Sequence, residues 1–369
     1  MTAKHLFKAA AAAAVIIAAA SAACAQDWPT FKNNALRTGA NQEGNYPVQR
    51  FSGRREWTAV KASQAIASSP AAYKGKFYFG TNDGDFCAVD AAGNDLWRFK
   101  AENWITTSPA VLNGRVYFGS YDSRLYCLDA ETGGLIWRFT THSGVQSSPA
   151  TDGDTVYFGS NDGFVYAVSI KTGWQRWSFK TDAAVTGSPV VADGVVYVGN
   201  KNCKMFAIDA ATGKLKWRAI VGGPIMSAPA VANGMLYFTS QDGKLYCARL
   251  KHQAVIWRYD AKAQIESSPL VHNGRVIFGD ISGKVTAVDA NSGAELWRVD
   301  TGASVFSSAA ALGDKIYIGS NSDSLYELDA GNGSVSWSVP LDGDVVVAPA
   351  VTAERIIAVT SGGSVCSIR

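Results

Sequence analysis

The chain offers four histidines, six cysteines and a recurring Asp-Gly pair as raw material for chemistry. Imidazole and thiolate groups at short spacing suit a metal, and a Ser or Cys paired with a base suits nucleophilic catalysis. Neither pattern is present. His5 lies in the first ten residues, and His142, His252 and His272 stand on separate turns with no metal or nucleophile partner at a recognisable spacing. They are read as solvated polar residues. Cys87, Cys127, Cys203, Cys247 and Cys366 form no CxxC and no adjacent pair. Four of them fall on one class of short strand, with Cys87 and Cys366 in one register and Cys127 and Cys247 in the next. Packed sheets lie about 10 Å apart while bridged Cα atoms come within about 7 Å, so these thiols are expected to be free, buried small residues. Asp83-Gly84, Asp162-Gly163 and Asp242-Gly243 invite a calcium reading, but Asp-Gly is first a hairpin turn whose glycine takes a positive φ. No catalytic residue and no metal site is assigned.

Composition agrees with a packed, unspecialised surface. The 369 residues are 47% hydrophobic and 18% charged, and the net charge is +3. Lys and Arg are scattered through the chain without forming a run, which argues against a nucleic-acid partner. The first 25 residues differ. Lys4, His5 and Lys8 precede the apolar run from Ala9 to Ala20, and the small residues Ser21 to Ala25 follow, which is the layout of a secretory signal peptide. The apolar run is too short for a membrane span, which needs about 20 residues. Ala23-Cys24-Ala25 fits a cleavage site that leaves Gln26 at the new N-terminus. The alternative is lipidation of Cys24, although Ser21 replaces the larger aliphatic residue usual in such signals. The expected location is the periplasm, with outer-membrane association if Cys24 carries lipid.

The element that positions everything else is a tryptophan returning every 40 residues: Trp57, Trp97, Trp137, Trp177, Trp217, Trp257, Trp297 and Trp337. A fixed period of this length marks a repeat architecture in which each unit buries its apolar face only against its neighbours. Within one unit, Ser147 to Ala150, Thr155 to Gly159, Phe164 to Val168 and Trp177 to Phe179 read as four short strands separated by Gly-containing turns. No helical period is visible in the mature chain. The expected domain layout is a signal peptide at 1–25, a lead-in segment at 26–50 and, at 51–369, an all-β, eight-bladed β-propeller of four-stranded antiparallel blades. Trp57 lies on a fourth strand with no first three before it, and the last unit ends without its fourth. The strand at Trp57 is therefore expected to pair beside residues 364–368 and close the ring.

Ala207-Ile208-Asp209-Ala210-Ala211-Thr212-Gly213-Lys214-Leu215-Lys216-Trp217 resembles in full the A-x-D-x-x-T-G-x-x-x-W docking motif of the pyrroloquinoline-quinone-type propellers. Asp129, Thr132, Gly133 and Trp137 match in part, as do Asp289, Gly293 and Trp297 and Asp329, Gly333 and Trp337, whereas Ser169 and Arg249 replace the Asp. The resemblance implies that Asp209, Thr212, Gly213 and the eight tryptophans lock each blade to the next by indole packing and Asp/Thr hydrogen bonds. It also implies two functional branches. In the quinoprotein dehydrogenases the propeller holds the quinone and calcium, with adjacent cysteines and long inserted loops; here the vicinal cysteines are absent and the repeat length is uniform. The small exported BamB-like propellers bind protein partners on one face and take part in outer-membrane-protein assembly. Length, bare blades and the export signal favour the second branch: a monomeric, non-catalytic scaffold for another envelope protein, with no cofactor. The alternatives are a quinone-dependent enzyme using pyrroloquinoline quinone and calcium, or a glycan-binding propeller.

Positions at which the repeats disagree point to the binding surface. Just before the Ser-Pro step of each innermost strand stands an invariant Ile or Val: Ile66, Ile105, Val145, Val185, Ile225, Ile265, Val305 and Val345. The next residue, on the opposite face, varies: Ala67, Thr106, Gln146, Thr186, Met226, Glu266, Phe306 and Val346. These eight are expected to surround the mouth of the central channel. With Trp104 and Gln264 two residues upstream of their ring members, and Tyr121, Lys201 and Lys204 on the neighbouring turns, the candidate patch is Trp104, Tyr121, Gln146, Lys201, Lys204, Met226, Gln264, Glu266 and Phe306. The fourth strands carry Arg98, Arg138, Arg218, Arg258 and Arg298, read as solvated edge protection.

Overall fold

A computed structural model describes Asn34 and residues 50–369. The expected signal peptide, Cys24 and the lead-in before residue 50 lie outside the described residues, Asn34 apart. Eight four-stranded antiparallel sheets make up the ring. Seven take their strands in chain order, and the eighth joins Arg55–Val60 to Ser364–Ile368, Ile356–Val359 and Ala350–Val351. Trp57 stands opposite Ser367, so the two ends of the described chain complete one blade as the repeat phase requires.

Burial follows radial position. Second and third strands are sandwiched between neighbouring blades and read as continuous buried runs, as in Thr155–Gly159. Fourth strands face solvent on one side and alternate, as in Leu215–Ile220. First strands shrink to two or three residues, such as Ala150–Thr151 and Ala110–Leu112. The invariant Ile and Val positions are fully buried, but they precede these strands in an irregular stretch and do not lie on the strands themselves. Their side chains explain another sequence feature. A Cβ on Gly119 would stand 2.3 Å from Val145, and the same conflict recurs at Gly159 with Val185 and at Gly279 with Val305. The glycine ending a second strand is the socket for the next blade's branched residue.

Among the described residues the helix-free reading holds except for one 3-10 turn, Leu250–His252, which carries His252. His272 departs from expectation. It lies on the strand Leu270–His272, is buried, and its Nε2 sits 2.7 Å from the Gly313 carbonyl oxygen of the next blade. The five cysteines are free, and burial pushes the Cys87 and Cys127 thiols up to about 12, which keeps them inert.

Two belts tie blade to blade. Near the axis, serine hydroxyls bridge neighbours 39 or 40 residues apart: Ser69 N donates to Ser108 Oγ, Ser108 N to Ser148 Oγ and Ser148 N to Ser188 Oγ, at 2.9 to 3.1 Å. Outside, a β-bulge immediately precedes each of the eight tryptophans and turns its ring toward the next blade's turn. The Trp177 indole N–H donates to the Ala210 carbonyl at 2.8 Å, and a Cβ on Gly213, whose φ is +71, would stand 2.8 Å from the ring. Trp57, Trp97, Trp137, Trp297 and Trp337 donate likewise to Ala91, Ala130, Ile170, Ala330 and Phe51. The Asp/Thr bonds are local, contrary to the role implied by the resemblance. Asp209 Oδ1 accepts from Thr212 N and Oγ1 at 2.9 and 2.8 Å, which shapes the turn while the indole makes the inter-blade bond. Ser169 is tolerated because Gly173 N still bonds the Ser169 carbonyl at 2.9 Å.

Two tests follow. Deleting residues 51–60 opens the ring and removes the acceptor of Trp337; calorimetry is expected to show a melting temperature lower by about 10 °C or more, at about 2–4 °C per kcal/mol for a large domain, and an unchanged melt contradicts closure. Gly213→Ala combines a left-handed backbone with a clash against Trp177 and is expected to cost about 2 kcal/mol or more in denaturant unfolding.

Candidate functional site

Antiparallel meanders put the fourth-to-first loops and the second-to-third turns on one face, and backbone bonds knit the two loop classes together there. Asn82 N donates to the Ala65 carbonyl, Tyr121 to Trp104, Asn161 to Gly144, Lys201 to Ala184, Gln241 to Pro224, Ile281 to Gln264, Asn321 to Ser304 and Ser361 to Asp344, all at 2.9 to 3.0 Å. The regularity holds the channel mouth rigid while side chains differ from blade to blade. Of the eight variable positions, seven are half-buried and Thr186 is buried.

The sequence candidates fall into sectors. Trp104 is 47% exposed, and its ring meets that of Tyr121 edge-on with centroids 5.8 Å apart. Burial raises the Tyr121 phenol above its ordinary value, and the hydroxyl of Thr106 beside it works the other way. Met226 and Glu266 are joined by Gln241, whose Nε2 donates to Glu266 Oε1 at 2.9 Å and sits 3.2 Å from Met226 Sδ. Sequence reasoning missed Gln241, although it occupies the same turn position as Tyr121 and Lys201, at whole multiples of the 40-residue period. Gln146 and Phe306 stand half-buried at their ring positions, and Gln264 is exposed. Lys201 is exposed, whereas Lys204 leaves the patch: its ammonium is bound to Asp182, which also accepts from Asn200 and Asn202. The Lys204 contact, first among several hydrogen bonds, holds Asp182 well below the usual carboxylate range.

The Asp-Gly turns are hairpins as expected, with φ of +84, +86 and +80 at Gly84, Gly163 and Gly243. Aspartates of these turns, and Asp122 of the equivalent Asp-Ser turn, also clip neighbouring loops, which no local pattern announced. Asp83 Oδ2 accepts from Ser63 N at 2.7 Å, Asp122 from Glu102 N at 3.1 Å, Asp162 from His142 N at 3.0 Å and Asp242 from Gly222 N at 2.9 Å. Tyr126 and Tyr166 donate to Asp122 and Asp162 at 2.7 and 2.8 Å. The Ser63 hydroxyl bond, with backbone donors, lowers Asp83 from its ordinary 3.8. A depressed carboxylate contributes stability above its unfolded pKa and loses it as pH falls through the folded value. Hydrogen-exchange protection at the Ser63 amide is therefore expected to stay constant from neutral pH to about 4 and to fall below that, with Asp83→Asn removing the dependence; protection that ignores acid contradicts the clip.

Among the described residues, no group of three or more His, Cys, Asp or Glu is placed to hold a metal ion. Comparison with solved structures returns the same ring. The chain is similar to BamB from Moraxella catarrhalis, with a TM-score of 0.75 at 19% identity over 85% of this chain and 98% of that one. It is equally similar to a europium-containing methanol dehydrogenase, with a TM-score of 0.75 at 12% identity over 90% of this chain and 89% of the other. A third is the quinohemoprotein alcohol dehydrogenase from Comamonas testosteroni, with a TM-score of 0.75 at 15% identity over 92% and 77%. Identities this low carry the fold alone. No curated protein matches the sequence. The family model described as "beta-alanine-activating enzyme, beta-propeller" matches residues 113–369, more than half of the chain, and the chain belongs to that β-propeller family.

Proposed function

We propose that the chain is an exported, non-catalytic β-propeller scaffold that binds a protein partner of the cell envelope across the channel mouth. The observation that carries this reading is Trp104: an indole 47% exposed, braced edge-on by Tyr121, on a loop whose backbone is bonded to the adjoining turn. A large aromatic held rigid at a surface loses little freedom on association and is the typical anchor of a protein interface. The likeness to BamB, and the small exported propellers of the quinone-repeat group that the docking motif resembles, support a role in outer-membrane-protein assembly or a related envelope task. Export rests on the signal-peptide pattern of residues 1–25, with release after Ala25 favoured over lipidation of Cys24.

The likeness to two dehydrogenases supplies the competing reading, a propeller that holds pyrroloquinoline quinone and calcium. Calcium takes about six to eight oxygen ligands, usually with several carboxylates. The inner ring offers one carboxylate, Glu266, already accepting from Gln241. That donor set does not fit the quinone and calcium centre and favours the scaffold.

Trp104→Ala decides between them together with a ligand melt. The control is Trp174, an exposed indole in a third-to-fourth-strand turn on the opposite face. Pull-down from an envelope extract is expected to recover one partner with the parent protein and with Trp174→Ala, and to lose it with Trp104→Ala, whose melting temperature stays near the parent's. Binding weakens by about 1 kcal/mol or more, the scale of an interface hot spot. Added quinone and calcium are expected to leave the melt unchanged; a rise of several degrees, which tight binding produces by mass action, overturns the scaffold reading.

A further inference from the structure

Two of the eight docking indoles, Trp217 and Trp257, lack their carbonyl partner, and at the Trp217 joint the break has polar consequences. In the turn that receives Trp217, Arg249 stands where Asp209 stands in the preceding unit and Gln253 stands where Gly213 does. Without the Asp cap the turn tightens into the 3-10 segment Leu250–His252, and Gln253 takes the left-handed backbone with φ +52. The Gln253 N–H bonds back to the Leu250 carbonyl at 3.3 Å. That carbonyl is the counterpart of the Ala210 oxygen, which receives two donors, the Trp177 indole at 2.8 Å and the Tyr157 hydroxyl at 3.3 Å. Tyr78 and Tyr237 reach Ala130 and Ala290 in the same way, whereas at the Trp137 joint the indole bonds Ile170 and the Tyr117 hydroxyl stays buried without a partner.

At the broken joint both donors are left over. Neither the Trp217 indole N–H nor the Tyr197 hydroxyl has a hydrogen-bond partner among the described residues, although Tyr197 is only 6% exposed. Both line a cavity of about 390 Å3, with Val195 and Leu250 on its apolar walls. The loss of a donor's partner does not by itself make such a site. At the following joint the Trp257 N–H is also unbonded, but it is sealed from solvent and Tyr237 occupies Ala290.

The charges around the cavity select the ligand. Arg249 and Lys251 are exposed with no ion-pair partner among the described residues, while Lys216 is neutralised by Asp209 at 3.1 Å. Asp193 is the one carboxylate among the lining groups. Two free cations against one anion leave a single positive charge, which suits a monoanion. Two aromatic rings, two unused donors and this charge point to one chemistry.

We infer that the cavity between the blades of Val190–Ile220 and Ala230–Asp260 binds a small aromatic monocarboxylate, its ring against Trp217 and Tyr197 and its carboxylate held by their free donors with Arg249 and Lys251. The cavity size lies in the range of small-molecule clefts, roughly 300–1,000 Å3. It opens on the face formed by the first-to-second and third-to-fourth turns, opposite the channel mouth, so it stands independently of the scaffold reading.

The test titrates 2-naphthoate into the full chain by calorimetry, with Trp fluorescence as a second readout. Saturable one-to-one binding is expected. It weakens by about tenfold or more for the uncharged 2-naphthamide, the effect of losing charge-assisted hydrogen bonds. Arg249→Asp with Gln253→Gly rebuilds the docking turn and returns the Leu250 carbonyl to Trp217; this double variant is expected to melt no lower than the parent and to lose binding by a similar factor. Lys251→Ala weakens binding with the fold intact, and Trp104→Ala leaves it unchanged. Absence of saturable 2-naphthoate binding to the parent overturns the site, as does equal binding by the rebuilt variant or by 2-naphthamide.

Discussion

Every blade of this ring depends on an indole laid across the next blade's turn. At six of the eight joints the contact combines a large apolar burial with one directional bond from the indole N–H to a carbonyl, over a glycine with no Cβ beneath the ring, as Trp177 over Gly213 shows. The contact is also what makes a four-stranded meander independently unstable but collectively firm. A single blade has two solvent-facing apolar sides, and only a neighbour with the complementary turn can cover them. The uniform 40-residue period follows, because a longer or shorter unit would carry its turn away from the waiting ring.

The inner belt solves a different problem. Toward the axis the wedge narrows, so the first strands are short and their backbone is irregular just before them. Serine hydroxyls 40 residues apart supply the hydrogen bonds that a longer ladder would have provided, as from Ser108 N to Ser148 Oγ. Buried polar groups satisfied in this way give a rigid rim, and the rim frees the outward-facing positions from structural duty. Unlike side chains such as Thr106, Met226 and Phe306 can then occupy equivalent places in one ring at no cost to the fold.

Repetition makes exceptions informative. A substitution in one repeat that breaks the local rule, with no compensation elsewhere, marks either tolerated drift or a use for the broken joint. Ser169 is drift, since its turn keeps its shape and its Trp keeps its acceptor. Arg249 and Gln253 are different, because in the turn they build the Leu250 carbonyl takes the Gln253 N–H and not the indole, and Trp217 and Tyr197 line a cavity with no hydrogen-bond partner among the described residues.

The sequence by itself determined the architecture: the Trp period, the turn residues and the phase of the two ends specify eight blades and a closing strand at Trp57, because repeat length and strand alternation are local and additive. It also marked which positions vary beside the invariant Ile and Val, and it grouped Trp104 with Tyr121, whose rings meet edge-on. Tertiary structure alone decided the partnerships. His272 reads as a turn residue in sequence, yet the blade beside it buries it against Gly313. Lys204 reads as a free cation, yet Asp182, 22 residues earlier, claims it. Gln241 joins Met226 and Glu266 only because two loops from different units meet. Each of these contacts is set by where separate strands end in space, and that is fixed by the packing of whole blades, a quantity no local window of residues contains.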